Sequence, residues 1–272
     1  MAADGLFGPG SITWRVNREN VLVLGGGRAL ILQVAHPLIA AGVAAHSQYR
    51  DDPWGRLNRT LDLATALVFG SEERARAVAR HLWHVHGRVN GATHEGCARF
   101  PAGSRYSARD PELLMWVHAT LVDTALLVYD RHVGGLSERD RRRYYDEQRA
   151  LAELLGVPLD RQPPHLRAFR AYIAEMLEGD SLAVTSTLRD VVAATLRPPV
   201  PLAARPFAEA FALVTVAMLP ERLRDELGLP FGPARAGLYE ASRFALRTAL
   251  PLLPAVVREA PPARRAAKRE AT

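Results

Sequence analysis

The chain has 272 residues, of which 48% are hydrophobic, which is enough for a sizeable core in one large domain or two small ones. Its single cysteine, Cys97, excludes an intrachain disulfide framework and a multi-cysteine metal site, and it is typical of a protein of the reducing cytoplasm. The net charge of +6 does not indicate nucleic-acid binding, because residues 258–272 alone carry three of these charges and no basic groove pattern accompanies the rest.

The N-terminal part of the chain predicts helices. Residues 1–7 contain no basic stretch followed by a long apolar run, so we expect no signal peptide. Residues 21–45 are the most apolar stretch, but glycines, an arginine and Pro37 interrupt them, so we expect a buried segment and no membrane span. Residues 15–45 therefore predict two helices or one kinked helix.

Gly25, Gly26 and Gly27 follow an apolar run and superficially resemble a phosphate-binding turn. A dinucleotide-binding fingerprint also needs a third glycine at the right offset and a parallel sheet, and the sequence predicts neither. The glycines are more consistent with the close approach of a neighbouring helix or of a flat ligand. A few residues later, His36 precedes a proline, either as a polar residue at a helix end or as a side chain turned into a pocket.

Residues 56–69 and 72–89 predict two further helices, and residues 90–109 predict an irregular loop. In the first of these helices, Arg56, Arg59 and Thr60 lie at positions i, i+3 and i+4 and share one side. Two guanidinium groups and a hydroxyl in this arrangement form either a solvated basic face or a site for an anion or dioxygen.

A histidine, His118, lies within the most apolar predicted helix, for which Asp110 is the expected N-cap and Pro111 the first residue. The same face of this helix carries Leu114, Leu121, Val122 and Ala125. An imidazole in an apolar stripe must find a hydrogen-bond partner, stay neutral or bind a metal or a haem iron. The sequence alone leaves two interpretations, a core histidine bonded to a backbone carbonyl and a ligand histidine.

Helical periodicity continues to the C-terminal part of the chain, and no alternating run predicts a strand. Helices are predicted over residues 139–155, 164–177, 182–196, 206–219, 221–227 and 233–250, with Ser137 as the cap of the first. The last residues are rich in Pro, Ala and Arg, which is typical of disorder. We therefore predict one all-α domain over residues 1–257 and a disordered basic tail over residues 258–272.

Many short motifs, in order over about residues 8–200, resemble the DUF2236 family, which includes the latex-clearing rubber oxygenases and the fungal MpaB-type oxygenases. The motifs are Gly8-Pro-Gly-Ser11, Trp14-Arg15-Val16, Leu24-Gly-Gly-Gly-Arg-Ala-Leu30, Gln33-Val-Ala-His-Pro37, Ala41-Gly-Val43, His46-Ser47, Asp52-Pro53, Gly55-Arg-Leu57, Arg59-Thr60, Asp110-Pro111, Leu114 and Trp116-Val-His-Ala-Thr-Leu-Val-Asp-Thr124.

The resemblance implies a haem b protein with a globin-like helical core. The family's axial histidine lies in the last of these motifs, so it carries over to His118. The distal Arg-x-x-Lys-Thr group of the rubber oxygenases corresponds to Arg56, Arg59 and Thr60, with an arginine in place of the lysine. The rubber oxygenases also have an arginine four residues after the axial histidine, where this chain has Val122, so the resemblance does not extend to their substrate.

The resulting prediction is a haem-dependent oxygenase or peroxygenase that uses dioxygen or peroxide on a small or lipophilic organic substrate. In it, His118 is the proximal iron ligand, while Arg59, Thr60 and His36 act on the distal side. The other predicted cofactor contacts are Arg56, Leu114, Leu121, Val122 and Gly26. The alternatives are a haem carrier, sensor or ligand-binding protein without turnover, and an interaction module that has lost its cofactor.

Overall fold

The computed structural model describes residues 5–47, 53–94, 96–97 and 99–270, with their side chains except those of residues 53–59 and 270. The chain is mostly helical, at 71%, which confirms the helical class predicted from the sequence. The globin-like arrangement of the core that the resemblance implies stays a prediction.

The described residues form fourteen α-helices, one two-stranded sheet and several short irregular helices. The α-helices are α1 (Ile12–Asn17), α2 (Gly26–Val34), α3 (Pro37–His46), α4 (Pro53–Phe69), α5 (Glu72–His86), α6 (Pro111–Val128), α7 (Glu138–Leu154), α8 (Leu166–Glu178), α9 (Ser186–Leu196), α10 (Arg205–Met218), α11 (Glu221–Glu226), α12 (Pro233–Ala249), α13 (Ala255–Arg258) and α14 (Pro261–Glu270). Residues Asn20–Gly25, Leu159–Arg161, Leu202–Ala204 and Leu250–Leu252 form 3₁₀ turns, and Tyr129–Val133 form a π-helical turn.

Side-chain caps begin several helices where the sequence predicted them. Ser137 accepts a hydrogen bond from the backbone N–H of Asp140, at 3.0 Å, and Asp110 accepts one from Glu112, at 2.8 Å. Each bond satisfies one of the free N–H groups of the first helical turn. The predicted starts of α6 and α7 are therefore confirmed to within one residue.

Helix α6 lies in the middle of the largest hydrophobic core, where it packs on α2, α7 and α8. Trp116 on this helix is almost fully buried, and its indole N–H donates to the backbone carbonyl of Leu32 at 3.0 Å. On the other side, Tyr145 of α7 packs against Phe169 of α8, with ring centroids 4.7 Å apart. Apolar contacts on several sides thus fix α6 in the fold.

The sheet is a feature that the sequence analysis did not predict. Strands β1 (Asn90–Ala92) and β2 (Arg105–Ser107) pair antiparallel within the segment predicted as an irregular loop. Each strand has three residues, and only Tyr106 is buried. Such short strands have no room for the apolar–polar alternation that identifies a strand in a sequence.

Residues 20–46 contain a sharp bend. The helical segments Asn20–Val34 and Pro37–His46 meet at 104°, and the break lies just before Pro37, whose ring disfavours helix at the preceding residue. Two of the three glycines permit close approach, as predicted: a Cβ at Gly27 would collide with Thr215 of α10, and one at Gly25 would lie 2.9 Å from Val128 of α6.

Among the described residues, one helix, Pro111–Val133, is long and apolar enough to cross a membrane, and the bent pair Asn20–Val34 and Pro37–His46 would be so if it formed a single span. Of the apolar window in Pro111–Val133, 67% is buried inside the protein. A core helix of this length and composition meets the same criteria.

The structure corrects the prediction of a disordered tail over residues 258–272. Residues Pro261–Glu270 form α14. Its Ala263 and Ala266 are each 1% exposed and pack against α4 and its neighbours. Arg269 also donates a hydrogen bond to the carbonyl of Phe69 at 3.0 Å. Two small alanines, which the sequence analysis did not count as an apolar stripe, allow this helix to pack closely.

Candidate functional site

His118 is buried in the middle of α6, with 7% of its surface exposed. Its Nε2 atom is buried and has no hydrogen-bond partner among the described residues. Burial lowers the pKa of the ring to about 4, and a hydrogen bond to the backbone of Gln148 offsets part of this effect. The imidazole is therefore neutral at pH 7, and its buried Nε2 atom is free to accept or donate.

The partner of His118 differs from the one that helix geometry suggests. A carbonyl of the preceding turn of α6, near Leu114, is the nearest acceptor along the sequence. In the structure the bond goes to Gln148 of α7 instead, because α7 packs along this face of α6. The same residue also fixes α1, since its side chain donates to Thr13 Oγ1 at 3.0 Å.

The apolar stripe around His118 runs from the core to the surface. Val122 is 1% exposed, Leu114 and Ala125 are half-buried, and Leu121 is 48% exposed. The predicted cofactor contacts on this helix therefore lie at different depths. The stripe offers apolar surface on both sides of the imidazole, with an open edge at Leu121.

An ion pair between a buried arginine and a half-buried aspartate holds the C-terminal half of α6, and the sequence analysis did not identify it. Arg28 of α2 is 4% exposed and donates to Asp123 at 2.7 Å and to Thr124 at 2.6 Å. Its Nε donates to the carbonyl of Met218 at 2.8 Å, so one guanidinium group connects α2, α6 and α10. The sequence signal was a lone arginine in an apolar run together with an aspartate in an apolar helix.

The predicted distal group lies on α4. The side chains of Arg56 and Arg59 lie outside the described residues. Thr60 is exposed, and α4 packs mainly on α5 and α14. The predicted cofactor contact Gly26 is also exposed, and a Cβ added to it would meet nothing within 4 Å.

His36 lies in a second buried site. It is 5% exposed, its ring packs on Phe100 with centroids 5.0 Å apart, and its Nδ1 has no hydrogen-bond partner among the described residues. Burial, and then the charge of Arg99, lower its pKa to about 4, while Asp110 raises it. None of the described contacts joins His36 to His118.

His132 is a third buried histidine, which the sequence analysis did not single out. It lies on the π-helical turn, is fully buried, and its Nδ1 is 3.1 Å from the carbonyl of Val128. Its Nε2, like that of His118, is buried and has no partner among the residues that the structure describes. Within the residues that the structure describes, no group of three or more His, Cys, Asp or Glu side chains is arranged to hold a metal ion.

Comparison with known proteins identifies the family. The family model described as "ER-bound oxygenase mpaB/B'/Rubber oxygenase, catalytic domain" matches residues 14–253, so the chain belongs to this family. No curated protein and no solved structure matches the chain. The match includes α6 and all three buried histidines, and it confirms the resemblance drawn from the short motifs.

Proposed function

We propose that this member of the MpaB and rubber oxygenase family is a haem b-dependent oxygenase, and that His118 is its proximal iron ligand. The observation that carries the proposal is the buried Nε2 atom of His118, which has no hydrogen-bond partner among the described residues. A buried nitrogen without a partner costs free energy on the order of 1–3 kcal/mol, which binding to iron would offset.

The residues around His118 fit an iron porphyrin. The ring is neutral because burial lowers its pKa to about 4, and only a neutral imidazole has a lone pair to give to a metal. The hydrogen bond to the backbone of Gln148 would orient the ring, and such a bond is usual for a ligand histidine. Val122 and Leu114 supply apolar surface that keeps water away.

Haem b held through this nitrogen would supply the redox chemistry that lets dioxygen or peroxide react with a small or lipophilic organic substrate. On the distal side we assign Arg59 and Thr60 as donors of hydrogen bonds to the oxidant, from their match to the family's distal group. Arg56 would pair with a haem propionate, and His36 would give or take a proton. Leu121 and Gly26 would lie along the exposed edge of the cofactor.

The test is an absorption spectrum of protein produced with a haem supply, in the wild type and in two matched variants. His118→Ala should lose stoichiometric haem and the Soret band. His132→Ala removes a histidine that is also buried and also lacks a partner at Nε2 among the described residues, and it should retain both. Circular dichroism of each variant shows whether it is folded.

Added imidazole should restore haem binding to His118→Ala by filling the vacated position. Full haem content and an unaltered spectrum in this variant would contradict the axial assignment. Oxygen consumption by the ferrous protein with a lipid-like alkene then separates an oxygenase from a haem carrier or sensor.

A further inference from the structure

We propose that a cleft between α5 and the C-terminal end of α7 binds an apolar organic acid, with its carboxylate on Arg80 and its chain against Trp83. The cleft has a volume of about 360 Å³, within the range of small-molecule sites. Its walls are formed by Arg76, Ala79, Arg80, Trp83, Leu154 and Gly156. That this acid is the substrate rests on the oxygenase function proposed above. Binding of the acid to the cleft can be measured whether or not the protein is an oxygenase.

Trp83 is an exposed side chain in a fixed position. Although 44% of it is exposed, the guanidinium group of Arg109 lies over its ring, 4.5 Å from the centroid. Two nitrogens of the same guanidinium group donate to the backbone carbonyl of Trp83, at 2.9 and 2.7 Å. An indole that is held in place and still exposed offers a ready apolar wall, because little side-chain entropy is lost when a ligand packs on it.

Gly156 keeps the cleft open beside this indole. Its φ of +99° lies in the left-handed region that favours glycine, at the end of α7. A Cβ at this position would lie 2.7 Å from Cζ3 of Trp83 and 3.5 Å from Cδ1 of Leu114. Leu114, which lies one helical turn before His118 on α6, is therefore close to the Gly156 wall of the cleft.

The charges on the rim select the ligand. Arg76 is already paired with Glu72, at 2.7 Å. Arg80 lies one turn further along α5, is exposed, and has no carboxylate of the described residues within 4.0 Å. A guanidinium group at the end of an apolar cleft matches a carboxylate at the end of a hydrocarbon chain, because its planar fork can bind both carboxylate oxygens. A neutral hydrocarbon would not use this charge.

The experiment measures binding of decanoate and of 1-decanol to the purified protein by calorimetry and by tryptophan fluorescence. Arg80→Ala should weaken decanoate binding about tenfold or more and leave 1-decanol unchanged, because it removes one charge-assisted contact. Trp83→Ala should weaken both ligands. Arg74→Ala, an exposed arginine of the same helix outside the cleft, is the control and should change neither.

Three results of these titrations would overturn the proposal, and a fourth comes from a competition with haem. The wild type binds no decanoate, Arg80→Ala and Arg74→Ala reduce decanoate binding equally, or Trp83→Ala has no effect. Repeating the titration with His118→Ala separates this proposal from the cofactor assignment, because decanoate should still bind when haem does not. If haem displaced decanoate, the cleft would be part of the cofactor site, and the proposal that it binds the substrate would be wrong.

Discussion

Replacing Arg258 by methionine should destabilise the fold, although this residue begins the segment that composition predicts to be disordered. Its Nε and Nη2 donate to the two carboxylate oxygens of Glu19, at 2.8 and 2.9 Å. The Glu19 side chain is 1% exposed, and that of Arg258 is 26% exposed. Without Arg258, the buried carboxylate of Glu19 would lose both of these hydrogen bonds and its opposite charge.

The size of the effect follows from this burial. Removing one partner of a buried ion pair costs about 3–5 kcal/mol. Two features place this case at the lower end: water reaches Arg258, and Nε of Arg18 lies 3.8 Å from the Glu19 carboxylate and partly compensates its charge. We expect a loss of about 3 kcal/mol, which lowers the midpoint of urea unfolding by about 1 M for a chain of this size.

The assay is urea unfolding at pH 7, followed by circular dichroism. The control is Arg170→Met, because Arg170 also makes a bidentate pair, with Glu138, but both side chains are about half exposed, at 51% and 48%. Exposed pairs contribute about 0–1 kcal/mol, so this variant should unfold near the wild-type midpoint. Equal shifts of the midpoint in the two variants would refute the assignment of a buried pair.

Two further predictions use the same unfolding assay. Arg28→Met should cost about 1–3 kcal/mol, because Asp123, whose side chain is 29% exposed, loses its partner and the carbonyl of Met218 loses a donor; an unchanged midpoint would contradict this. The pKa of His36 is about 4 in the folded chain, below its ordinary value of 6.5, so the unfolded chain binds a proton more readily. The free energy of unfolding that this difference contributes is present above pH 6.5 and is lost as the pH falls toward 4. This histidine contributes about 3 kcal/mol to that loss, so His36→Leu should make the curve less steep between pH 6.5 and 4. His118, whose pKa is also lowered to about 4, keeps its own contribution, and an unchanged slope in the variant would contradict the prediction.

Local signals in the sequence predicted the start of α6 and the cap of α7, because a capping side chain and its N–H lie two or three residues apart. The same local approach failed for α14, whose composition is typical of disorder. Its buried residues, Ala263 and Ala266, have small side chains that become part of a core only when a neighbouring helix is in contact with them. Whether a segment folds in this way depends on tertiary packing, which composition does not report.

The candidate site was predictable in part for the same reason. The position of His118 on an apolar face follows from helical spacing alone. Its bond to Gln148 joins residues of two different helices, and the pair of Arg28 and Asp123 joins residues 95 positions apart, so neither follows from periodicity. The distal prediction at Thr60 rests on family motifs, and its helix is placed by contacts with α5 and α14.

The chain contains three buried histidines with an unpartnered nitrogen among the described residues, and the chemistry of a ligand separates them. A ligand histidine needs a ring whose free lone pair is held in one direction. His132 bonds to a carbonyl of its own helical segment and packs edge-on against Tyr239 of α12, with ring centroids 6.2 Å apart, and His36 packs on Phe100. His118 is bonded to α7 while it lies on α6, and α6 is itself fixed by the Arg28 ion pair and by its apolar contacts. Of the three, His118 is the one on the helix in the middle of the largest hydrophobic core, and this supports the proposal that it is the iron ligand.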